Sequence, residues 1–222
     1  MSMIDLNDEQ EQRERNYGPV PAGSKVLVRL EVQKPKYASR DDEMVAMTKS
    51  GLLQLQCKIE VCAGSYEGCW WYENITLPSS SQTIRLDENL QTACRIGGSM
   101  LRAIIESARR IDPKATDQKS VRARQVNAWL DFDGLEFPAR LGIDKRPYEG
   151  KDGKTYWNNR LGSIISCTAK EYADIMDGGE IIADGPTTGA AAWNTGNRSN
   201  SAGHGSLPYD GTPPPDDDLV PF

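Results

Sequence analysis

Two large rings one residue apart, Trp70 and Tyr72 in "CWWYENITL", are the residues of this chain best suited to chemistry of recognition. If the segment is a strand, side chains at i and i+2 share a face. Rings on a shared face, with a cation beside them, suit stacking on unpaired nucleic-acid bases, because every base offers a π-face. Catalytic chemistry is poorly supplied by comparison. The sequence contains no GxxxxGK[ST], GxSxG or HExxH pattern, and its one histidine, His204, stands in a Gly/Ser-rich stretch. Cys57, Cys62, Cys69, Cys94 and Cys167 show no CxxC spacing, whereas a zinc site takes about four clustered Cys/His ligands. No metal and no cofactor is therefore expected. Asp131 and Asp133 in "DFDG" read as turn chemistry rather than as a metal pair.

The elements that must hold the rings are legible from periodicity. In "KVLVRLEV", Val26, Val28, Leu30 and Val32 alternate with Leu27, Arg29 and Glu31, the pattern of a half-buried strand. A polar loop precedes "LLQLQCKIEV", where Leu53, Leu55, Cys57, Ile59 and Val61 point inward and Gln54, Gln56, Lys58 and Glu60 outward. The turn "AGSYEG" returns the chain as a third strand. Its phase puts Trp71, Ile75 and Leu77 in the core and Trp70, Tyr72 and Asn74 outside, beside Lys58 and Arg29. A slip of one residue would exchange Trp70 and Trp71.

A helical period follows. "LDENLQTACRI" and "SMLRAIIESARRI" read as two helices separated by Gly97-Gly98, with Asp87 and Ser99 as N-caps. Leu101, Ile104, Ile105, Ala108 and Ile111 form the apolar stripe, which stops at Asp112-Pro113. Residues 114–134 are ambiguous, with helix running into strand as one reading of "SVRARQVNAWLDFDG". "LEFPARLGID" alternates with Phe137, Ala139, Leu141 and Ile143 inward, and "DGKTYWNNRLGSIISC" reads as a fifth strand. That strand adds Tyr156 or Trp157, according to its phase, together with Arg160. "TAKEYADIM" carries a capping box, Thr168 and Glu171, and ends at Gly178-Gly179.

Charge must be read by region. The whole chain is −6, but residues 1–16 and 186–222 each carry −3, so the body between them is neutral. Within it, residues 95–124 hold eight basic side chains against three acids. Arg102, Arg109, Arg110, Arg122 and Arg124 belong to this run, which is of the kind that tracks phosphates. From about residue 183 the chain turns to Gly, Ser, Asn, Thr and Pro without apolar spacing. Such a segment cannot bury enough surface to offset its ordering entropy. It closes on "DDDLVPF", where an acidic run and a terminal ring suit a partner with a basic rim and an apolar pocket.

The expected organisation is a flexible segment over 1–22, one mainly β (α+β) domain over 23–182 and a linker with an acidic tip over 183–222. Three strands, helices and two further strands fit a five-stranded OB-fold-like barrel, with a four-to-six-stranded α+β sandwich of another topology as the alternative. An odd cysteine count without an apolar leader points to the cytoplasm, and no run of about 18 apolar residues offers a membrane span.

The tip resembles that of bacterial and phage single-stranded DNA-binding proteins, an acidic run followed by an apolar residue and Pro-Phe. Asp216, Asp217 and Asp218 match the run, and Pro221 and Phe222 the closing pair. Leu219 and Val220 stand where one apolar residue is usual. The body is similar to phage-encoded relatives in "LLQLQCKIEVCAGSYEGCWWYENITL" followed by "LRAIIESARRIDP". The resemblance implies a non-enzymatic protein that coats single-stranded DNA in replication, recombination or repair. Asp216–Phe222 would recruit partner proteins, and a homo-oligomer is compatible with this role. The alternatives are an interaction adaptor without DNA contact and a metal-dependent nuclease.

Overall fold

The alternation in "KVLVRLEV" becomes strand β1 (Lys25–Val32). The computed structural model describes residues 19–39, 42–78, 88–144, 147–149, 153 and 155–183. Strands β2 (Val45–Met47), β3 (Leu53–Val61) and β4 (Trp70–Thr76) follow. Helix α1 (Glu88–Ala108), helix α2 (Gln118–Ala123) and a 3₁₀ turn at Trp129–Phe132 lead to β5 (Leu135–Ile143). The two-residue strands β6 (Tyr148–Glu149) and β7 (Thr155–Tyr156) pair with each other, and β8 (Asn159–Ile164) and α3 (Tyr172–Met176) complete the order. The chain is thus mixed α and β, built on a six-stranded antiparallel sheet.

β4 covers one side of β3, while β1 and β2 share the other. Across the sheet the main strands run β4–β3–β1–β5–β8. The inward residues of the alternating segments meet in one core: Val26, Val28, Leu30, Leu55, Cys57, Ile59, Trp71, Ile75, Phe137, Ala139 and Leu141. α1 closes this core with Leu101, Ile104 and Ile105.

The expected barrel does not close. Among the described residues no ladder joins β4 to β8, and the sheet is open there. Instead the Glu73 carboxylate, at an inward position of β4, accepts the Leu161 N–H of β8 at 2.9 Å. A side chain occupies the donor that a strand partner would have used.

Three local expectations change. Gly97-Gly98 does not separate a pair of helices: α1 runs unbroken through both glycines, so Ser99 is no cap, and Asp87 lies outside the described residues. The reason is packing, since a Cβ at Gly97 would stand 1.8 Å from the Thr76 carbonyl oxygen. The helix stops at Arg110, in the left-handed region at φ 56°, with Ile111 N–H bonded to Glu106 C=O and Arg110 N–H to Ser107 C=O. This is the Schellman pattern. The segment "DGKTYWNNRLGSIISC" breaks at Trp157 and Asn158 into β7 and β8. The Thr168–Glu171 capping box does not form: Glu171 instead binds Lys25, and Thr168 pairs with Ser166.

The packed body also begins before residue 23. Val20 is fully buried, and the buried Asn159 side chain accepts its N–H and donates to its C=O. At the other end Ile181 bridges to Lys25 and Ala183 N–H donates to Ser24 Oγ.

Gly97→Ala tests the packing account. Helix propensity alone would stabilise the substitution by about 1 kcal/mol. The clash with Thr76 predicts the opposite sign, a loss of about 1–3 kcal/mol, read as a lower denaturation midpoint in urea.

Candidate nucleic-acid interface

Because β4 buries Trp71, Trp70 and Tyr72 emerge together on the outer face of the sheet, where both are half-buried. Their rings meet edge to face, with centroids 5.4 Å apart and planes at 78°. Register places Trp70 opposite Glu60 and Tyr72 opposite Lys58 on β3. β1 extends the two rows, with Arg29 opposite Glu60 and Glu31 opposite Lys58, and β5 adds Glu136 opposite Arg29. Lys58 Nζ lies 5.6 Å from the Trp70 ring centroid, within cation–π range. Arg29, Lys58, Trp70 and Tyr72 are therefore brought together as expected from the alternation.

The cations on this face are already engaged. Arg29 contacts Glu136 through Nε at 3.0 Å and Nη2 at 2.6 Å. Lys58 lies 2.7 Å from Glu60 and 3.4 Å from Glu31. The hydrogen bond to Glu136 raises the Arg29 pKa, helped by the charges of nearby acidic groups. For Lys58, burial works against the charge, but the bonds to Glu60 and Glu31 and their charges outweigh it, so its pKa is raised. α3 covers the far end of the same face, packing Tyr172 and Ile175 on Leu27 of β1. The region around the rings lies beyond that helix.

The basic run at residues 95–124 is divided by the structure. Glu106, buried on α1, accepts from Arg102 Nε at 2.8 Å and from Arg124 Nε at 2.6 Å. Arg124 also donates to the carbonyls of Asp112 and Ala115, and Arg109 to those of Ala123 and Gln125. These three arginines hold the segment after α1 against the helix. Arg110 ends α1 and lines a cavity of about 360 Å³ with Cys167, Tyr172 and Asp177. Arg122 is exposed on α2. Beside Arg102 and Arg124 runs an apolar cleft of about 450 Å³, lined by Leu101, Ile105, Val126, Trp129 and Phe132.

Tyr156 stands on β7 and Trp157 in the gap before β8, both half-buried. Arg160 is exposed on β8, its stem lying over Gly142, where a Cβ would stand 3.3 Å from Arg160 Cγ. Arg160 thus lies on the end strand of the six-stranded sheet, across the seam from β4, whereas Tyr156 belongs to the separate β6–β7 pair. Asp131 accepts the Asn127 N–H within a local turn, whereas Asp133 accepts the N–H of Val32, the last residue of β1 and 101 residues away. Among the described residues no three His, Cys, Asp or Glu side chains could hold a metal ion, and no helix is long and apolar enough to cross a membrane. His204 and the tip, Asp216–Phe222, lie outside the described residues.

Sequence reasoning misses Glu73. Its signal is an acid at an inward position between Trp71 and Ile75, but its partner Leu161 is 88 residues away. Burial pushes the Glu73 carboxyl above its ordinary range, against the bonds from Leu161 N–H and Trp71 Nε1–H. Comparison with protein-family models gives no match, and comparison with curated proteins gives none either.

Two outcomes follow from this geometry. A carboxyl with a raised folded-state pKa keeps its proton in the folded chain when the unfolded chain has lost it, so stability falls as pH rises from its ordinary value of 4.5 through the raised one. Glu73→Gln removes that part of the slope while keeping an acceptor for Leu161, whereas Glu73→Ala leaves the N–H unmet and costs about 1–3 kcal/mol. Denaturant midpoints at pH 4 to 8 check both. Arg124→Ala removes a partner of buried Glu106 and lowers stability by about 3–5 kcal/mol, while exposed Arg122→Ala stays within about 0.5 kcal/mol in the same melts.

Proposed function

We propose that this chain is a non-enzymatic single-stranded DNA-binding protein that holds unpaired bases on the outer face of β3 and β4. The observation that carries the reading is the Trp70–Tyr72 ring pair beside Lys58, held outward by the burial of Trp71. Stacking of bases on such rings is worth about 1–3 kcal/mol each.

The sheet order supports the same reading. Its three leading long strands, a helix and two further strands, left open at one seam, resemble the partly open five-stranded arrangement of OB-folds. Those folds bind oligonucleotides on the face of their second and third strands. Here these are β3 and β4, the strands that carry Lys58, Trp70 and Tyr72. Arg122 on α2 and Arg160 on β8 are exposed cations and would meet phosphates. By resemblance, the acidic segment Asp216–Phe222 recruits partner proteins of replication, recombination or repair, and the setting is the cytoplasm of a phage-infected cell.

Titrating the full chain with single- and double-stranded oligonucleotides of equal length tests the reading. Intrinsic tryptophan fluorescence is expected to quench with the single strand, and Trp70→Ala or Tyr72→Ala to weaken binding at least about fivefold. Equal binding of duplex, or affinity unchanged in both variants, would point to charge attraction and overturn it.

A further inference from the structure

We infer that Glu60 reads the base stacked on Trp70 and favours bases that present an exocyclic amino group over those that present a carbonyl there. The inference rests on the single-strand reading above. Its starting point is the register: Glu60 on β3 is directly opposite Trp70 on β4, and directly opposed side chains on one face stand about 4.5–5.5 Å apart at Cβ. A base lying on the Trp70 ring therefore extends its edge over Glu60.

Charge fixes which side of the strand turns inward. Around the rings, Arg29 and Lys58 face Glu31, Glu60 and Glu136, a net charge of −1 on this region of the face. Such a surface offers phosphates no net attraction, while the rings offer bases a stacking face. The backbone then runs outside, with base edges directed to the strands.

The chemistry of the edge decides the preference. A carboxylate only accepts, and it has about four lone-pair sites. Lys58 takes one on Glu60 at 2.7 Å and leaves capacity for another donor. Cytosine offers an amino group at position 4, which Glu and Asp accept from in base readout. Uracil and thymine present a carbonyl oxygen at that position, which meets the carboxylate acceptor to acceptor. Hydrogen bonds to charged groups are the stronger kind, so a difference of about tenfold in affinity is expected for one base read in this way. Adenine, with its amino group, belongs on the favoured side.

The test compares 12-nucleotide oligo-deoxycytidine with oligo-deoxyuridine, which lacks the thymine methyl, on the full chain at pH 7.5 by tryptophan quenching. The expected result is tighter binding of oligo-deoxycytidine by about tenfold or more. Glu60→Gln should bring the two within about twofold, because an amide can donate to the uracil carbonyl as well as accept from cytosine. Glu136→Gln, which removes the same charge two strands away, should keep the preference. Equal affinity of the native chain for both oligomers, with quenching intact, overturns the role of Glu60 and leaves the single-strand reading standing. A preference that survives Glu60→Gln, or that Glu136→Gln also abolishes, overturns it too. Binding of neither oligomer overturns the single-strand reading itself.

Discussion

A strand can show only every second side chain to one face, and β4 uses that rule to place two rings outside by burying a third. Trp71 is among the largest fully buried side chains, and it sets the phase of "WWYENIT". With Trp71 packed among Leu55, Ile59 and Leu77, Trp70 and Tyr72 have no place in the core. The exposure of both rings depends on this phase. A slip of one residue would send every side chain of β4 to the opposite face, and the burial of both Trp71 and Ile75 opposes it.

The electrostatic picture follows from the same pleat. Acids and bases alternate across neighbouring strands on the outer face, so Arg29 and Lys58 are each paired with a carboxylate. The neutral body is therefore not an average over separate patches. Much of it is local pairing, on the sheet between Arg29, Lys58, Glu31, Glu60 and Glu136, and on α1 around Glu106. Surface pairs of this kind contribute little to stability. What they set is the local potential near the rings, where three carboxylates stand against two cations.

The sheet faces are legible in the sequence because period-2 alternation is a local signal that packing reinforces. Val26 to Val32, Leu55 to Val61, and Trp71 with Ile75 lie where that alternation puts them. What alternation hides are facts that need a distant partner. Gly97 looks like a helix break, since glycine is a poor helix former, but Thr76 on β4 requires its missing side chain. Arg102, Arg109 and Arg124 look like a phosphate track because composition shows charge and not the carbonyls and carboxylate that receive it. Glu171 looks like half of a capping box, yet Lys25, 146 residues away, holds it. Of the candidate site, the ring pair and Lys58 are readable from one strand pair, while Arg29 and the three intervening carboxylates become meaningful only once β1, β3 and β5 are in register.

The open seam leaves the rings on an edge strand. β4 and β8 run in the same direction, each reached through antiparallel steps across the sheet. A ladder between them would close the sheet, but Glu73 stands at that edge with its carboxyl turned inward to Leu161 N–H. An inward charge on an edge strand also discourages pairing with another chain. Burial works against that charge, so the bridge is held at some cost in stability. In return, β4 remains an edge strand whose outer face carries Trp70 and Tyr72 beside a boundary, rather than enclosed by neighbours on both sides.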